Sequence, residues 1–536
     1  MPTRHQAPSS DTSDDAMSFA TFRECIHHLV NCSCCGQGAV GTIVASRPDR
    51  STNAFKRLGF QGWRETVKRC PPMLPVISSS YLLPDVAVLP HVGKRLNNID
   101  MEIVEGRIGN IRPAGSPTSR PLPILERYRG MFVSAALIDM HTHFPPDNLL
   151  GLTNLFMMQT LRHGITIVRD AGDTDGTAIP AALAAVLSGR VPGPEIHYTY
   201  AFVNSAPARW SNSVDYDDPA QAEMIVADLR RQGATWVKSY ENLDMPRITA
   251  LKAAAERHQL GVMGHVPYSL GHEQALLPDA QHLMGVAPPN SFRRDHVLDR
   301  MIDWHAVDDA RIDLIRRVSV EHGLSLTPTL NATDGILDLD RYDAACTEAS
   351  AHALPNFYAR IVWHPAHGIP AYRDMSPEYF ALARQAVNRK HRLIRALAGD
   401  DVELRLGTDT QQPFVSPGVA LHREVSAFVS AGVDRSTVID MASRRAANAL
   451  GLVDVGVVRE GARADLMVSA ADPAAANWDV RASLKAVIVK GRLTDTADLD
   501  AAIAKELGRF EGLIGHHVAH WLAKFSMHQM AGHFVN

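Results

Sequence analysis

The stretch Ala135-Ala136-Leu137-Ile138-Asp139-Met140-His141-Thr142-His143 reads as an apolar strand that runs into two histidines. In an extended chain successive side chains alternate faces, so His141 and His143 point the same way. Two parallel imidazoles leaving a strand end can grip one metal ion. Alone the pattern is weak, because His-x-His occurs by chance and a histidine is often just a satisfied polar group. Its meaning rests on whether further ligands stand at strand ends downstream.

The chain has 536 residues, 46% of them hydrophobic, enough to bury a large core as one big domain with appendages or as two to three domains. Acids and bases nearly balance at a formal charge of -4, so no global field recruits nucleic acid or an anionic membrane. No apolar stretch approaches the roughly 20 residues that a membrane-spanning helix needs. The N-terminus lacks the charged, apolar and small-residue regions of a secretory signal. These features lead to the expectation of a cytoplasmic protein with neither nucleic-acid nor membrane partners; a homo-oligomer stays open. Of six cysteines, Cys25, Cys32, Cys34, Cys35 and Cys70 fall in the first seventy residues and Cys346 lies far downstream. The Cys-x-Cys-Cys run has no second Cys or His pair at finger-like spacing, which favours a reduced, poorly ordered extension over a structural zinc site.

Residues 1–80 show no sustained period of 3.6 or 2 and read as an irregular N-terminal extension. Arg47, Arg50, Lys56, Arg57, Arg64, Lys68 and Arg69 suggest targeting, but Asp11, Asp14 and Asp15 are residues a transit peptide avoids. Short β-like runs follow, Val86 to Leu89 and Met101 to Val104, with Glu105-Gly106-Arg107 as a turn, and similar texture returns at 461–468 and 484–492. The flanks 81–135 and 452–495 are therefore expected to build one composite β-sandwich. Between them, 136–451 alternates apolar strands with amphipathic helices: a strand and turn over 164–172, helices over 179–187, 220–231 and 247–258, and strands over 234–238 and 261–265. Such alternation implies parallel pairing, and eight units close a TIM barrel. The expected fold class is α/β, a (β/α)8 barrel with the small β-sandwich. A helical insertion at 288–400, with the Pro-rich stretch Trp363 to Pro370, is expected to roof the site. The tail, 496–536, reads as an amphipathic helix from Ala497 whose His516, His517, His520, His528 and His533 scatter around it, favouring surface or packing roles over metal binding.

Reading only the ends of the proposed strands gives His141 and His143, then Lys238, His265, His282 and finally Asp409. Strand-end residues converge on a barrel mouth, so ligands remote in sequence become neighbours. A lysine is ordinarily a poor ligand because it is protonated near neutrality. Reaction with carbon dioxide turns it into a carbamate, a two-oxygen anion able to bridge two metals. Lys238 taken alone reads as a barrel lysine paired with an acid; four histidines and an aspartate in matching places reverse that reading.

These residues resemble the amidohydrolase superfamily, specifically its two-metal branch, over roughly 80 to 495. The resemblance is strongest to imidazolonepropionase-related, prolidase-like and ochratoxinase-like members. It is carried by Ile138 to His143, Gly164 to Gly172, Val237-Lys238-Ser239-Tyr240, Gly264-His265-Val266-Pro267, Gln281-His282, Thr327-Pro328-Thr329-Leu330, Gly407-Thr408-Asp409 and Ala464-Asp465-Leu466. Gln281 departs from the pattern, since relatives often have Glu there. The resemblance implies that His141, His143 and Asp409 hold the more buried metal, that His265 and His282 hold the other, and that N6-carboxylysine at Lys238 bridges them. It further implies a metal-bridging hydroxide as nucleophile and Asp409 as the catalytic proton carrier. The expected cofactors are two divalent ions, zinc first, although manganese, iron, cobalt and nickel suit the same ligands. The expected reaction is hydrolysis of an amide-type C-N bond in a small-molecule substrate: a dipeptide, an N-acyl amino acid or a cyclic amide.

Tyr240, Tyr268, Arg209 and Asn204 are the candidate substrate contacts, Arg209 through bidentate recognition of a carboxylate. His422, on the helix after Asp409, reads as a supporting or surface residue. Deaminases of this fold keep one metal and carry His-x-x-Glu after strand five, whereas His265 is followed by Val266-Pro267-Tyr268. Lys238 likewise argues against imidazolonepropionase itself, which is mononuclear. Lactone or phosphotriester hydrolysis stays open as an alternative for the same site. A non-enzymatic scaffold fits less well, because the ligand set is intact.

Overall fold

The structure, a computed structural model, describes residues 79–91, 93–148, 150–187, 191–292 and 298–534. The readings made for the N-terminal extension up to residue 78, its cysteines included, lie outside the described residues. The strands form three sheets, of seven, six and three strands. One sheet takes strands from both flanks: β1 (Tyr81–His91), β2 (Lys94–Val104), β3 (Arg107–Pro113) and β4 (Phe132–Ala135), with β14 (Leu466–Ser469), β15 (Leu484–Val489) and β16 (Arg492–Asp495). Its order is β16-β15-β14-β4-β1-β2-β3, antiparallel except where β1 meets β4. Instead of two separate layers, the strands make one continuous sheet. Alternate residues along them, among them Tyr81, Leu83, Met101, Ile103, Leu466, Val468, Ala486 and Ile488, gather in one apolar cluster. Period-2 alternation puts these side chains on a common face, and breaks in the β1–β2 register let the sheet bend around them.

The chain between the flanks is α/β, as its alternation implies. One parallel sheet comprises β5 (Leu137–Thr142), β6 (Ile165–Asp170) and β7 (Glu195–Tyr198). The other comprises β8 (Phe202–Asn204), β9 (Ser213–Asp215), β10 (Trp236–Ser239), β11 (Gly261–Gly264), β12 (Asp279–Gln281) and β13 (Ser325–Thr327), ordered β13-β12-β11-β10-β8-β9. Helices cross between successive strands, including Thr153–Arg162, Ala178–Leu187, Met245–Arg257 and Asp309–Glu321. The two sheets approach along two seams. On one side Leu326 of β13 bridges Leu404 in parallel, and two residues later Leu406 O accepts the N–H of Met140 in β5 at 2.9 Å. On the other, Thr235 N–H reaches Tyr198 O of β7 at 3.0 Å.

Two expectations differ in detail. The range 288–400 contains β13, paired in parallel with β12, so it is not helical insertion alone; extra helix begins with Leu330–Asp340 and continues to Pro377–Gly399. The tail is two helices, Thr496–Gly508 and Leu513–Phe534. The first is capped by the Asp495 carboxylate, which accepts the Ala497 N–H. Gly508 and Gly512, poor helix formers, flank the break, and Phe510 between them is buried. No helix among the described residues is long and apolar enough to cross a membrane.

Inside the parallel strands lies a charged layer. Arg169 of β6, fully buried, donates to Asp279 of β12 at 2.5 Å and to Met140 O of β5 at 2.8 Å, and stacks 4.4 Å over Trp236 of β10. Arg405 reaches the same Asp279 carboxylate at 2.9 Å. Burial opposes ionisation of Asp279, but Arg169 and Arg405 hold its carboxyl down at about 2. Removing one partner from a buried pair strands the other charge, at a cost of about 3–5 kcal/mol. Asp279→Asn is therefore expected to lower the unfolding free energy by that order in denaturant titrations. A depressed carboxyl contributes stability that is present above its ordinary value, near 4, and is lost as pH falls toward about 2. The wild type should thus lose more stability than Asp279→Asn over that interval, and equal acid profiles would refute the assignment.

Candidate metal centre

The strand-end residues come together. His141, His282 and Asp409, all buried, each present a ligand atom, and these atoms lie within 4.8 Å of one another. His141 Nε2 and His143 Nε2 stand 3.2 and 3.3 Å from Asp409 Oδ1, and 3.3 Å from each other. His282 Nδ1 lies 3.7 Å from Asp409 Oδ2. His282 thus groups with His141 and Asp409, while His143 approaches the same carboxylate from its other oxygen. The His265 ring stands edge-on to that of His282 at 4.9 Å, and its Nδ1 faces Glu241 Oε1 at 3.4 Å. Lys238 is buried at the end of β10, and its ammonium donates to Gln281 Oε1.

Local backbone explains the convergence. His141 ends inside β5 and His143 follows it, so both imidazoles keep the strand's two-residue repeat. Asp409 follows a segment tied to β5 by the Thr408 and Asp409 N–H groups, which both donate to His141 O, at 2.7 and 2.8 Å. Gly407 permits that approach: a Cβ there would sit 2.5 Å from the His141 Cβ. Asp409 and His282 adopt φ of +57° and +58°, the left-handed region that Asp and His enter more readily than most side-chain-bearing residues.

The electrostatics fit a cation site. Burial pushes His141, His265 and His282 well below their ordinary values, aided in each by Lys238, so they stand as neutral donors. Burial alone would raise Asp409, but His282, His141 and His143 hold it well below the usual carboxylate range. Burial also pushes Lys238 down to about 7, against the pull of Asp409. His141 Nδ1 and His265 Nδ1 are buried without a hydrogen-bond partner among the described residues. Neutral imidazoles beside an ionised carboxylate make a donor set suited to a divalent metal.

Several supporting residues were not singled out in the sequence. Asp139 accepts the His141 N–H and the Thr408 N–H, both at 3.1 Å, and the Thr408 hydroxyl at 2.7 Å. Thr329 Oγ1 lies 2.7 Å from His282 Nδ1, and Gly172 O lies 2.8 Å from His143 Nδ1, fixing the rings. Glu241, buried, pairs with Arg209 at 3.0 Å. Asp139 and Glu241 carry a sequence signal as acids next to proposed ligands on β5 and β10; nothing local marks Thr329 or Gly172 as their partners.

Of the candidate substrate contacts, Tyr240 stacks on His265 at 4.4 Å and accepts the Trp210 indole N–H at 2.9 Å. Tyr268 lies 3.5 Å from Arg209 and beneath Arg300 at 4.1 Å. Tyr372 adds a further ring, bonded to Gln412 at 2.5 Å. Asn204 is turned to structure: it is buried, and its Oδ1 accepts the Asn242 N–H at 2.8 Å. His422 is distant in role, with Nε2 2.9 Å from His163 O. The tail histidines contribute no cluster of metal-type ligands among the described residues.

Known structures share this fold. A bottromycin amidohydrolase aligns with a TM-score of 0.61 at 23% identity, over 83% of this chain and 92% of its own. A putative prolidase from Bifidobacterium longum aligns at 0.56 and 18% over 81% and 100%. Ochratoxinase from A. niger aligns at 0.54 and 15% over 78% and 96%. No curated protein matches by sequence. Residues 132–494, which carry every candidate ligand described above, match the model of the amidohydrolase family; the chain belongs to that family and is an enzyme acting on carbon-nitrogen bonds.

Proposed function

We propose that the chain is a binuclear metal-dependent hydrolase that cleaves an amide-type C-N bond in a small molecule: a dipeptide, an N-acyl amino acid or a cyclic amide. The observation that carries this reading is the buried meeting of His141, His282 and Asp409 within 4.8 Å, flanked by His143, His265 and Lys238. The architecture in this reading is a (β/α)8 barrel, supported by the seams at Leu404–Leu406 and Thr235 that join the two parallel sheets. His141, His143 and Asp409 would hold one ion, His265 and His282 the other, with zinc first in suitability for such ligands. When bound, divalent ions lower the pKa of water and polarise a carbonyl.

Lys238 is the bridging candidate. Its Nζ lone pair attacks the carbon of CO2 and the amine loses a proton, giving an anionic carbamate. Burial favours the neutral amine that reacts. Gln281 also supports this reading: its Oε1 meets Lys238, while its buried Nε2 has no hydrogen-bond partner among the described residues. A carbamate oxygen would be an acceptor for that orphaned N–H. Gln in place of Glu then keeps a second anion away from the modified lysine.

Asp409, kept ionised by the imidazoles around it, is placed to take a proton from the attacking water and return it to the leaving nitrogen. Tyr240 and Tyr268 would line the bound substrate. Arg209 would meet a substrate carboxylate only in competition with Glu241, its partner at 3.0 Å.

Purified protein is expected to carry stoichiometric divalent metal by elemental analysis, to lose activity on chelation and to regain it on adding zinc. Protein without stoichiometric metal would sink the enzymatic reading. Lys238→Ala is expected to fold but to bind less metal, with activity down by 100-fold or more, on the order that loss of a charged stabiliser costs; full metal content and activity would sink the bridging assignment. A screen of zinc-loaded enzyme against dipeptides, N-acyl amino acids, cyclic amides, lactones and phosphotriesters should find turnover among the first three. Activity confined to lactones and phosphotriesters would overturn the C-N assignment.

A further inference from the structure

Glu424 lies on the helix Val419–Ser430 and is fully buried. Its Oε1 accepts the backbone N–H of Leu330 at 2.9 Å, and its Oε2 accepts that of Asn331 at 2.8 Å. These are the first two amides of the helix Leu330–Asp340, which have no acceptor within their own helix. The Asn331 side chain adds a second link, its Nδ2 donating both to Glu424 Oε2 at 3.0 Å and to Thr408 O at 3.1 Å. The carboxyl group therefore holds one segment directly, at Leu330 and Asn331, and reaches the other, at Thr408, through the Asn331 side chain that it binds.

Each segment carries part of the metal centre. Thr329 directly precedes the capped amides, holds a left-handed φ of +48°, and sets its hydroxyl 2.7 Å from His282 Nδ1. Thr408 directly precedes Asp409, whose φ is +57°. Neither backbone conformation is one a β-branched or acidic residue holds without support. Helix capping alone would call for an acceptor at Leu330 and Asn331; it would not call for the link through Asn331 to Thr408.

We propose that Glu424 is a positioning residue that locks Thr329–Asn331 to Thr408–Asp409, so that His282 and Asp409 are preset for a metal ion. The inference rests on the metal-site reading of these two residues. Glu424 touches neither metal ligand; it acts through the backbone that carries them.

Glu424→Gln preserves the shape but replaces one accepting oxygen with a donating NH2, so at least one of the three N–H groups loses its acceptor. In the full-length metal-free protein, amide hydrogen exchange is expected to quicken together at Leu330–Asn331 and Thr408–Asp409. The amides of β10 and β11 should keep wild-type rates. Zinc affinity, measured by competition with a chelating dye below the unfolding transition, should fall about 10–100-fold, the usual effect of losing a group that orients metal ligands. A folded Glu424→Gln protein with wild-type zinc affinity, or with exchange quickened at Leu330–Asn331 alone, overturns the clamp. Should Glu424→Gln fail to fold, Asn331→Ala removes the side-chain links to Thr408 O and to Glu424 Oε2 while leaving the Leu330 and Asn331 backbone amides capped by the carboxylate. It should quicken exchange at Thr408–Asp409 and weaken zinc binding; wild-type behaviour in both would overturn the proposal. A wild-type protein that takes up no zinc would refute the metal reading and this role with it, whereas a zinc-binding wild type with an unaffected Glu424→Gln refutes the clamp alone.

Discussion

The Asp279 carboxylate, wholly buried between the guanidinium groups of Arg169 and Arg405, is the contact on which the arrangement of the strands depends. Its three members come from β12, from β6 and from the segment after the helix Pro377–Gly399, so a single cluster spans both parallel sheets. Hydrophobic packing could hold these strands in several registers, because it is not directional. A buried charge permits far fewer arrangements, since a shift of register would leave at least one ion without a partner. Arg169 also donates to Met140 O, one residue before His141. The layer that fixes register thus lies directly beneath the layer that carries the chemistry.

Above it, the ligands are held by a second directional network. Asp139 binds the amides of His141 and Thr408 at once, so the end of β5 and the approach to Asp409 move as a unit. Glu424 holds the chain at Leu330 and Asn331, and the Asn331 side chain carries the link on to Thr408. Left-handed backbone at His282, Thr329 and Asp409 is what these bonds maintain. Strain of this kind costs roughly 1–3 kcal/mol per residue, which a hydrogen-bonded frame of this density can offset.

Much of this was legible in the sequence, and the remainder was hidden for identifiable reasons. The alternation of apolar strands with amphipathic helices announced an α/β chain because its periods, 2 and 3.6, are local properties. The strand-end residues His141, His143, Lys238, His265, His282 and Asp409 were readable because parallel strands send their C-terminal ends to one place. The β13 strand was lost inside an apparent insertion because three residues, Ser325 to Thr327, are too few to show a period. The two-helix tail looked like one helix, since propensity weakly opposes continuation through Gly508 and Gly512 and the burial of Phe510 decides it. Thr329 and Glu424, and Asp139 in its bond to Thr408, act through contacts of 47, 93–94 and 269 residues' separation, partners that no local pattern encodes. Asn204 illustrates the converse: a polar residue at a strand end can serve a neighbouring turn, as its Oδ1 does by accepting the Asn242 N–H.

The mouth of the site narrows what its chemistry can accept. Arg209 taken alone would make it a cation that draws in carboxylates. With Glu241 at 3.0 Å, the pair is close to neutral and buried on its acidic side. In the proposed function, a substrate carboxylate would have to win Arg209 from an anion already in place, which it could do only if its other parts bound well. Beside that pair the structure packs rings: Tyr240 against His265, Phe202 edge-on to Tyr240 at 5.0 Å, and Trp210 bonded to Tyr240. In the proposed function, rings of this kind favour an apolar or planar group on the substrate more than charge. Selection among amides at this mouth is thus expected to follow the fit of that group, with Arg209 and Glu241 penalising substrates that bring a charge without it.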